Sequence, residues 1–356
     1  MTSAENWAIP KGSTVLVTGV SGFIGSHIAD QFLHHGFRVR GTSREPKKHV
    51  WLSNLFNKKY SLGSFELCQV SDMAVPGAFN MVVKGVSAVV HTASIMTFDS
   101  DPNKVIPGVI AFALNALKAT YSESSAKRFV FCSSATAAVQ SVLGRPSIVV
   151  TEETWNEVAI KDAWAGTALD IDPSHVVYSA SKVLAEKAIW KYYNENAHIR
   201  PDIVVNTVLP NMTLGTSIDA INHGFPSTSG MVALLYRGEI SPYHMSVPRQ
   251  YFVDVQDVGR LHVAAAILPN VQRQRIFAFA ERYSWDSILD IFRKLEPNKT
   301  FVGNFSGGED PNVIGPQGKA EQLLRDLGRA GWTHLEESIR NIVRDLQILE
   351  RGIMNA

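Results

Sequence analysis

Short apolar runs alternate with longer amphipathic stretches through the first 210 residues of the chain. Thr14–Thr18, with the sequence TVLVT, predicts a buried strand, and apolar residues at helical spacing predict a helix over Phe23–His35. Because the strand-like runs are apolar throughout, both faces of the sheet should be covered, as is typical of parallel sheets. The same patterns predict strands at Phe37–Gly41, Phe65–Val70, Val86–Thr92, Arg128–Cys132 and Ile203–Leu209, and helices near Asn103–Ser122 and Val177–Tyr193.

The second half of the chain is less regular. Residues 138–175 and 212–250 form long connections, and connections of that length in a compact protein usually form lids or the walls of a binding site. From Trp285 onward the apolar spacing predicts amphipathic helices. The whole pattern therefore predicts an α/β fold, a doubly wound parallel sheet with a small C-terminal annex.

Composition narrows the classes of protein that fit this fold. The chain has 356 residues, of which 45% are hydrophobic and 19% charged, and its net charge is +1. This balance predicts a globular protein and gives no electrostatic support to a nucleic-acid or membrane partner. Cys68 and Cys132 lie in apolar runs and predict buried free thiols rather than a metal site. Residues 1–11 have no apolar signal core, and Val105–Leu117 is too short an apolar run to span a bilayer, so we expect a cytoplasmic protein.

A glycine-rich segment follows directly after the first predicted strand. Gly19, Gly22 and Gly25 have the spacing GxxGxxG, at the point where the first predicted helix begins. Glycines permit a sharp turn and let a pyrophosphate approach the N–H groups at a helix start. Chance produces such a spacing in roughly one chain in ten of this length, but its place between a strand and a helix favours dinucleotide binding. The expected cofactor contacts in this segment are Gly19, Ser21, Gly22, Phe23, Ile24 and Gly25.

The end of the second predicted strand indicates which dinucleotide is bound. NAD-binding proteins usually carry an acid there for the ribose 2′-hydroxyl, whereas NADP-binding proteins carry cations for the 2′-phosphate. Positions 41–43 hold no acid, and Arg44 and Lys48 supply positive charge that Glu45 partly offsets. The segment therefore favours NADP(H), with a solvated basic loop as the alternative. Asp72, after the third strand, is either an acceptor for the adenine amino group or an ordinary turn aspartate.

Tyr178 and Lys182 lie four residues apart in a predicted helix, so their side chains share one face about one turn apart. A nearby cation favours the ionised form of a phenol, and a tyrosine tuned in this way can exchange a proton with a carbonyl oxygen near neutral pH. Lys182 could also hold the nicotinamide ribose. The alternative interpretation is an ordinary amphipathic helix.

Three hydroxyl side chains follow the fifth predicted strand, namely Ser133, Ser134 and Thr136. They fall at the carboxyl edge of the predicted sheet, where doubly wound folds bind ligands. One of them could donate a hydrogen bond to the same carbonyl oxygen as Tyr178. The pattern alone leaves the choice among the three open, and a serine turn without a chemical role is the alternative.

Several segments together resemble the extended short-chain dehydrogenase/reductases, which have a Rossmann fold. These are VTGVSGFIGSHIADQFL, RFVFCSSATAAV, YSASKVLAEKAIWKYYNEN, VNTVLPNMTLGT and STSGMVALLYRGEISP. The likeness is greater to the branch that holds dihydroflavonol reductases, cinnamoyl-CoA reductases and fungal aldehyde and carbonyl reductases, and greatest to the yeast type of NADPH-dependent aldehyde/ketone reductase. It covers about residues 12–340.

The resemblance implies roles for individual residues. Ser134 would orient the substrate carbonyl, Tyr178 would donate the proton, and Lys182 would support Tyr178 while both also contact the cofactor. The glycine-rich segment would bind the pyrophosphate. The other implied cofactor contacts are Arg44, Lys48, Asp72, Ala93, Pro210 and Asn211.

We therefore expect NADPH-dependent reduction of an aldehyde or ketone to the alcohol, on an apolar or aromatic substrate. Apolar and aromatic residues of the long connections suggest such a substrate, with plain core packing as the alternative; they include Trp164, Met212, Phe225, Met231 and Tyr243. Residues 1–210, with 251–280 returning to them, should form mainly the dinucleotide-binding domain, and 211–250 and 281–356 mainly the substrate-binding annex. One alternative is a sugar-nucleotide epimerase or dehydratase of the same fold, which generally keeps NAD bound. The other is a non-catalytic dinucleotide sensor, which would not need the Tyr178–Lys182 pair. The sequence indicates no oligomeric state.

Overall fold

The computed structural model describes residues 6–140, 146–166, 171–247 and 249–354. The strands β1 to β12 are, in chain order, Thr14–Thr18, Arg38–Ser43, Phe65–Gln69, Ala88–His91, Arg128–Cys132, Val149–Val150, Val204–Pro210, Met212–Leu214, Arg249–Asp254, Arg275–Ala278, Glu281–Ser284 and Val313–Ile314. The helices α1 to α12 are Phe23–His34, Val50–Lys59, Pro102–Ser122, Glu157–Ala165, Pro173–Asn196, Ala220–His223, Thr228–Tyr236, Pro242–Ser246, Val255–Ile267, Trp285–Leu295, Gln317–Asp326 and Leu335–Met354.

The central sheet has seven strands in the order β10-β7-β5-β4-β1-β2-β3. Every neighbouring pair in it is parallel. Helices α1 and α9 pack together on one face, and α3 and α5 pack together on the other. The predicted doubly wound parallel sheet is thus confirmed. In this sheet β2 lies on one side of β1 and β4 on the other. This reversal of strand order opens a crevice at the carboxyl end of β1, which is where such folds bind ligands.

Most predicted elements form close to their predicted positions. Strands β1 and β5 have the predicted bounds, whereas α5 begins at Pro173 rather than near Val177. The earlier start has a local cause, because the side chain of Asp172 accepts a hydrogen bond from the Ser174 N–H and caps the helix. Helix α2 was not predicted, since few of its residues are buried and its apolar pattern is weak.

The rest of the chain builds smaller layers beside the main sheet. Strands β8, β9 and β11 form a three-stranded sheet, and β6 pairs with β12. Residues 249–254 therefore pair outside the main sheet, whereas residues 255–278 return to it as α9 and the edge strand β10. The long connections predicted at 138–175 and 212–250 contain the short helices α4 and α6 to α8. The proposed division of labour between the two domains stays a prediction.

Helix α3 matches its predicted bounds of about Asn103–Ser122 to within one residue. It runs unbroken through Pro107 for 21 residues, so the helix is longer than the apolar run at Val105–Leu117. Among the described residues, α3 is the one helix that is both long enough and apolar enough to cross a membrane. Half of its apolar stretch, however, is buried inside the protein. Its buried face packs on α5 in the same apolar cluster. The cysteines are both free, and Cys68 is only half-buried, contrary to prediction, whereas Cys132 is buried.

Candidate active site

The glycine-rich segment makes a turn that other residues could not form without strain. Gly19 has φ +64°, and a Cβ there would lie 3.0 Å from the Cα of Ala93. A Cβ on Gly25 would lie only 2.2 Å from the carbonyl oxygen of Gly19, so this glycine lets α1 pack against the loop. Ala93, predicted to line the cofactor, thus lies directly against the turn.

The start of α1 fits the phosphates of a dinucleotide. Gly22 is the N-cap residue and provides no side-chain cap, and the first turn has no acidic residue. The N–H groups of this turn, which begins with Phe23 and Ile24, therefore retain the partial positive charge that favours an anion. Ser21 and Gly22 are half-buried and exposed, respectively, so a ligand could reach them.

Arg44 and Lys48 lie in the connection that follows the carboxyl end of β2. Arg44 follows β2 directly and is exposed, and it forms no ion pair within the part of the chain that the structure describes. Lys48 is paired with Glu45, with 2.7 Å between Nζ and Oε2. Arg44 is therefore the more available cation. The assignment of both residues to the 2′-phosphate stays a prediction.

Three other predicted cofactor contacts follow the carboxyl ends of strands. Asp72 comes after β3 and is exposed. One of its carboxylate oxygens accepts a hydrogen bond from the Ala74 N–H at 2.8 Å, as in an ordinary turn, and the other oxygen could accept a hydrogen bond from a ligand. Pro210 ends β7 and is buried, and Asn211 is bound to the Ala278 carbonyl through its backbone N–H at 3.2 Å. The parallel sheet thus brings these positions to the same edge as the glycine-rich turn.

Tyr178 and Lys182 lie on one face of α5, as predicted. The Lys182 Nζ is 5.9 Å from the centre of the Tyr178 ring, and it donates a hydrogen bond to the Cys132 carbonyl at 3.2 Å. Lys182 is buried, whereas Tyr178 is half-buried. The carbonyl at the end of β5 therefore fixes the ammonium group beside a phenol that is still accessible.

The three candidate hydroxyls have different partners. Ser133 donates to the buried carboxylate of Glu186 at 2.6 Å. The Ser134 Oγ accepts hydrogen bonds from the backbone N–H of Thr136 at 3.3 Å and from the Thr136 hydroxyl at 3.1 Å. Since Ser133 and Thr136 donate their protons within the protein, Ser134 is the one whose hydroxyl proton is left for another acceptor. This bonding pattern supports the choice of Ser134.

A series of aromatic contacts starts at Tyr178, and of its other members the sequence pointed only to Tyr243. The ring centre of Phe98 is 5.6 Å from that of Tyr178 and 5.5 Å from that of His175, and His175 is in turn 5.5 Å from Tyr243. Phe98 is 43% exposed and has φ +49°, an uncommon backbone conformation for a residue other than glycine. Burial, and secondly Tyr178, raises the pKa of Tyr243 well above its ordinary value.

These aromatic residues come from three separate parts of the chain. His175 could have been found from the sequence, because it precedes Tyr178 by three residues and shares its helix face. Tyr243 was among the residues expected to line the substrate pocket, whereas no pattern connects Phe98 with Tyr178 before the chain folds. Among the pocket residues expected from composition, Trp164 is half-exposed on α4, and Phe225 and Met231 pack against the apolar core.

A surface cavity of about 710 Å³ lies away from this site, along the edge strand β10. Trp155, Trp190 and Arg275 line it together with residues of α11, and none of the predicted site residues does. The described residues include no group of three or more His, Cys, Asp or Glu side chains that could hold a metal ion.

Comparison with known proteins identifies relatives along nearly the whole chain. Residues 15–277 match the model of the NAD dependent epimerase/dehydratase family. Aldehyde reductase 2 of Sporidiobolus salmonicolor is 39% identical over 344 residues, which are 96% of this chain and 98% of that protein. Ketoreductase AdrE of Penicillium roqueforti is 36% identical over 351 residues, with 96% of this chain and 98% of that protein covered.

A solved structure has the same fold. Gre2 of Candida albicans, crystallised in complex with NADPH, superimposes with a TM-score of 0.79 at 25% identity, and the match covers 94% of this chain and 98% of that one. The predicted resemblance to reductases of this fold is therefore confirmed.

Proposed function

Because the chain belongs to the NAD dependent epimerase/dehydratase family, we propose that it is an NADP-dependent oxidoreductase that reduces an aldehyde or ketone to the alcohol. Relatives named aldehyde reductase and ketoreductase support this reaction, and the NADPH complex of the similar Gre2 structure supports the cofactor. The observation that carries the proposal is the half-buried Tyr178 beside an ammonium group fixed at the end of β5.

The cofactor supplies a hydride from its reduced nicotinamide when it is bound. The residues of this chain would do the rest. Ser134 would hold the substrate carbonyl through its free hydroxyl proton, and Tyr178 would give its phenolic proton to the carbonyl oxygen. The positive charge of Lys182 would favour the phenolate that Tyr178 becomes after it gives up its proton. The hydrogen bond from Lys182 to the Cys132 carbonyl keeps the ammonium group in place.

The substrate is proposed to be apolar or aromatic next to its carbonyl group. Phe98 packs on Tyr178 and also contacts His175, which contacts Tyr243, so the ring faces and edges near Tyr178 suit aromatic or aliphatic substituents. The Tyr243 hydroxyl meets only the thioether of Met212 at 3.9 Å among the described side chains, so this part of the site offers weak hydrogen bonds. A strongly hydrated sugar would lose more hydration here than it regained.

An epimerase or dehydratase acting on a sugar nucleotide is the second candidate, because the family model includes such enzymes in its name. Two features argue against it. The end of β2 carries Arg44 in place of the acid that NAD-binding proteins use, and the surroundings of Tyr178 are aromatic rather than polar.

The direct test is a reduction assay with purified protein. The protein would be mixed with NADPH and a panel of aryl ketones, β-ketoesters and aldehydes, and the loss of NADPH absorbance would be followed. We expect turnover with several apolar carbonyl compounds, much slower turnover with NADH, and no conversion of a UDP-sugar. Conversion of the UDP-sugar without NADPH consumption would favour the epimerase, and equal rates with NADH would contradict the choice of NADPH.

A further inference from the structure

One polar side chain takes part in the aromatic contacts near Tyr178. His175 precedes Tyr178 by three residues on α5, so the two side chains share one face of the helix, about one turn apart. The His175 ring meets the Phe98 ring edge-on, with 5.5 Å between their centres, and the Phe98 ring lies 5.6 Å from that of Tyr178. These contacts hold the imidazole near the candidate proton donor.

The ring nitrogens of His175 are open to a ligand, whereas its backbone is already bonded. Its N–H donates to the Asp172 carbonyl at 2.9 Å, and its carbonyl accepts the Ser179 hydroxyl at 2.8 Å. Neither imidazole nitrogen makes a hydrogen bond to another described residue, and neither is among the described side-chain atoms that are buried without a partner. Since His175 is only half-buried, a molecule that enters beside Tyr178 can reach the imidazole.

The side chains next to His175 offer little to a polar group. Phe98 presents only its ring, and the Tyr243 hydroxyl, whose ring centre lies 5.5 Å from that of His175, meets the Met212 thioether at 3.9 Å. We refer to Phe98, His175 and Tyr243 as the aromatic wall. Ligand pockets are mostly apolar and carry a few placed polar groups that fix the orientation of the ligand. In the aromatic wall, His175 is the side chain suited to that role.

The charge state of His175 limits what it can bind. Burial lowers the pKa of His175 below its ordinary value, although Asp172 raises it. The imidazole should therefore be neutral at pH 7, with one N–H donor and one acceptor nitrogen. A neutral donor suits an uncharged carbonyl oxygen, whereas a carboxylate would gain more from a cation.

We propose that His175 donates a hydrogen bond to a second oxygen of the substrate, a few bonds away from the carbonyl group that is reduced. The substrate class is then an aldehyde or ketone with an additional uncharged acceptor, such as an ester or a second ketone group. This inference rests on the proposed function and deepens it. The substrate would be held at two points, by Ser134 and Tyr178 at the reacting oxygen and by His175 at the other.

The test compares two substrates of the same chain length. Ethyl 3-oxobutanoate offers a second carbonyl oxygen, and 2-heptanone has only the ketone. For each protein variant, kcat/KM would be measured with NADPH for both compounds, and the ester-to-ketone ratio would be formed. Because the intrinsic reactivity of the two compounds is the same for every variant, a change in this ratio between variants reports the contact with the second oxygen.

Two variants separate the donor of His175 from its ring. His175→Phe keeps a ring against Phe98 and Tyr243 but has no N–H, so we expect the ratio to fall about tenfold. His175→Gln loses the ring and keeps an N–H donor, so kcat/KM should fall for both substrates while the ratio stays within about threefold of the wild type. The matched control is His198→Phe, an exposed histidine after α5, which should leave both kcat/KM values unchanged.

The outcomes distinguish this inference from the proposed function. If His175 served only as part of the apolar surface, His175→Phe would keep the wild-type ratio, which would overturn the inference and leave the proposed function intact. A fall of the ratio by about tenfold in His175→Gln would also contradict the inference, and this comparison holds even if His175→Phe failed to fold. A wild type that consumes NADPH with no carbonyl compound of the panel would contradict the proposed function itself.

Discussion

Arg44 is the side chain on which the choice between the two dinucleotides most directly depends. It is exposed directly after β2, and it has no ion-pair partner among the described residues, whereas neighbouring Lys48 is held by Glu45. An arginine in this position can bind a phosphate with two parallel hydrogen bonds, which a lysine cannot do.

We expect Arg44→Gln to raise the KM for NADPH about tenfold or more and to leave the KM for NADH nearly unchanged. The reason is that the variant loses a cation that only the 2′-phosphate would use. Steady-state kinetics with both cofactors would measure this. Arg38→Gln, an exposed arginine at the opposite end of β2, is the control and should behave like the wild type. An equal rise of both KM values would show that Arg44 does not distinguish the cofactors.

At the scale of secondary-structure elements, one buried carboxylate holds the active-site helix to the sheet. Glu186 on α5 accepts hydrogen bonds from Ser133 on β5 at 2.6 Å and from Thr207 on β7 at 2.8 Å. It also pairs with the buried Arg275 of β10 at 2.8 Å, and Arg275 in turn stacks on the Trp155 ring at 3.8 Å. Glu186 follows Lys182 by one helical turn, so the same network positions α5 under the candidate site.

Glu186→Gln should lower the free energy of unfolding by about 3 kcal/mol, because it leaves the buried Arg275 without a countercharge. The midpoint of urea unfolding would measure the loss. Glu195→Gln on the same helix is the control, since its pair with Lys191 is exposed and 3.9 Å long, and it should change stability by about 0.5 kcal/mol or less. If both variants lost similar amounts of unfolding free energy, the buried network would stabilise the protein no more than an exposed ion pair does.

The start of α9 holds a buried acid whose titration should affect stability. Asp254 caps the helix through the Gln256 N–H and accepts a bond from Ser338. Burial, and then the nearby Asp257, raises the pKa of Asp254 from 3.8 to about 6. The folded protein therefore binds more protons than the unfolded chain between about pH 4 and pH 6, so this group makes stability fall as the pH rises through that window.

Asp254→Asn cannot ionise, so it should relieve this cost. Its Oδ1 can still accept the Gln256 N–H, and its amide N–H can donate to the Ser338 hydroxyl oxygen in place of the bond that the carboxylate accepts. We expect the variant to be more stable than the wild type by about 1–3 kcal/mol at pH 8 and to lose that advantage near pH 4. Urea unfolding at the two pH values gives the comparison. An advantage of the same size at both values would show that ionisation of Asp254 is not its cause.

At the scale of the whole molecule, the parallel sheet brings residues from distant parts of the sequence to one edge. The glycine-rich turn, Arg44, Ser134 and the Tyr178–Lys182 pair all follow the carboxyl ends of strands or lie on helices beside them. Local spacing predicts these positions well, because a strand–turn–helix unit and a helix face each depend on only a few neighbouring residues.

Other parts of the site could not be predicted, because they depend on contacts between distant segments. Phe98 and Tyr243 meet near Tyr178 only after the loop that follows β4 and the helix α8 have packed against α5. The partners of Ser133 and Ser134 also depend on tertiary packing, since Glu186 lies 53 residues from Ser133. From the sequence, residues 251–280 are assigned to the dinucleotide-binding domain, whereas strand β9, residues 249–254, pairs with β8 and β11 in the smaller sheet.

The central claim is that Tyr178 delivers the proton, and its most direct test is kcat for Tyr178→Phe. This variant keeps the ring that contacts Phe98 and loses only the hydroxyl. We predict a fall in kcat of about 10²–10⁴-fold, the usual contribution of a positioned general acid, with NADPH affinity changed only a few-fold. Tyr192→Phe, on the same helix, should retain wild-type turnover. A Tyr178→Phe enzyme that reduces the same carbonyl substrate at nearly the wild-type rate would contradict the account.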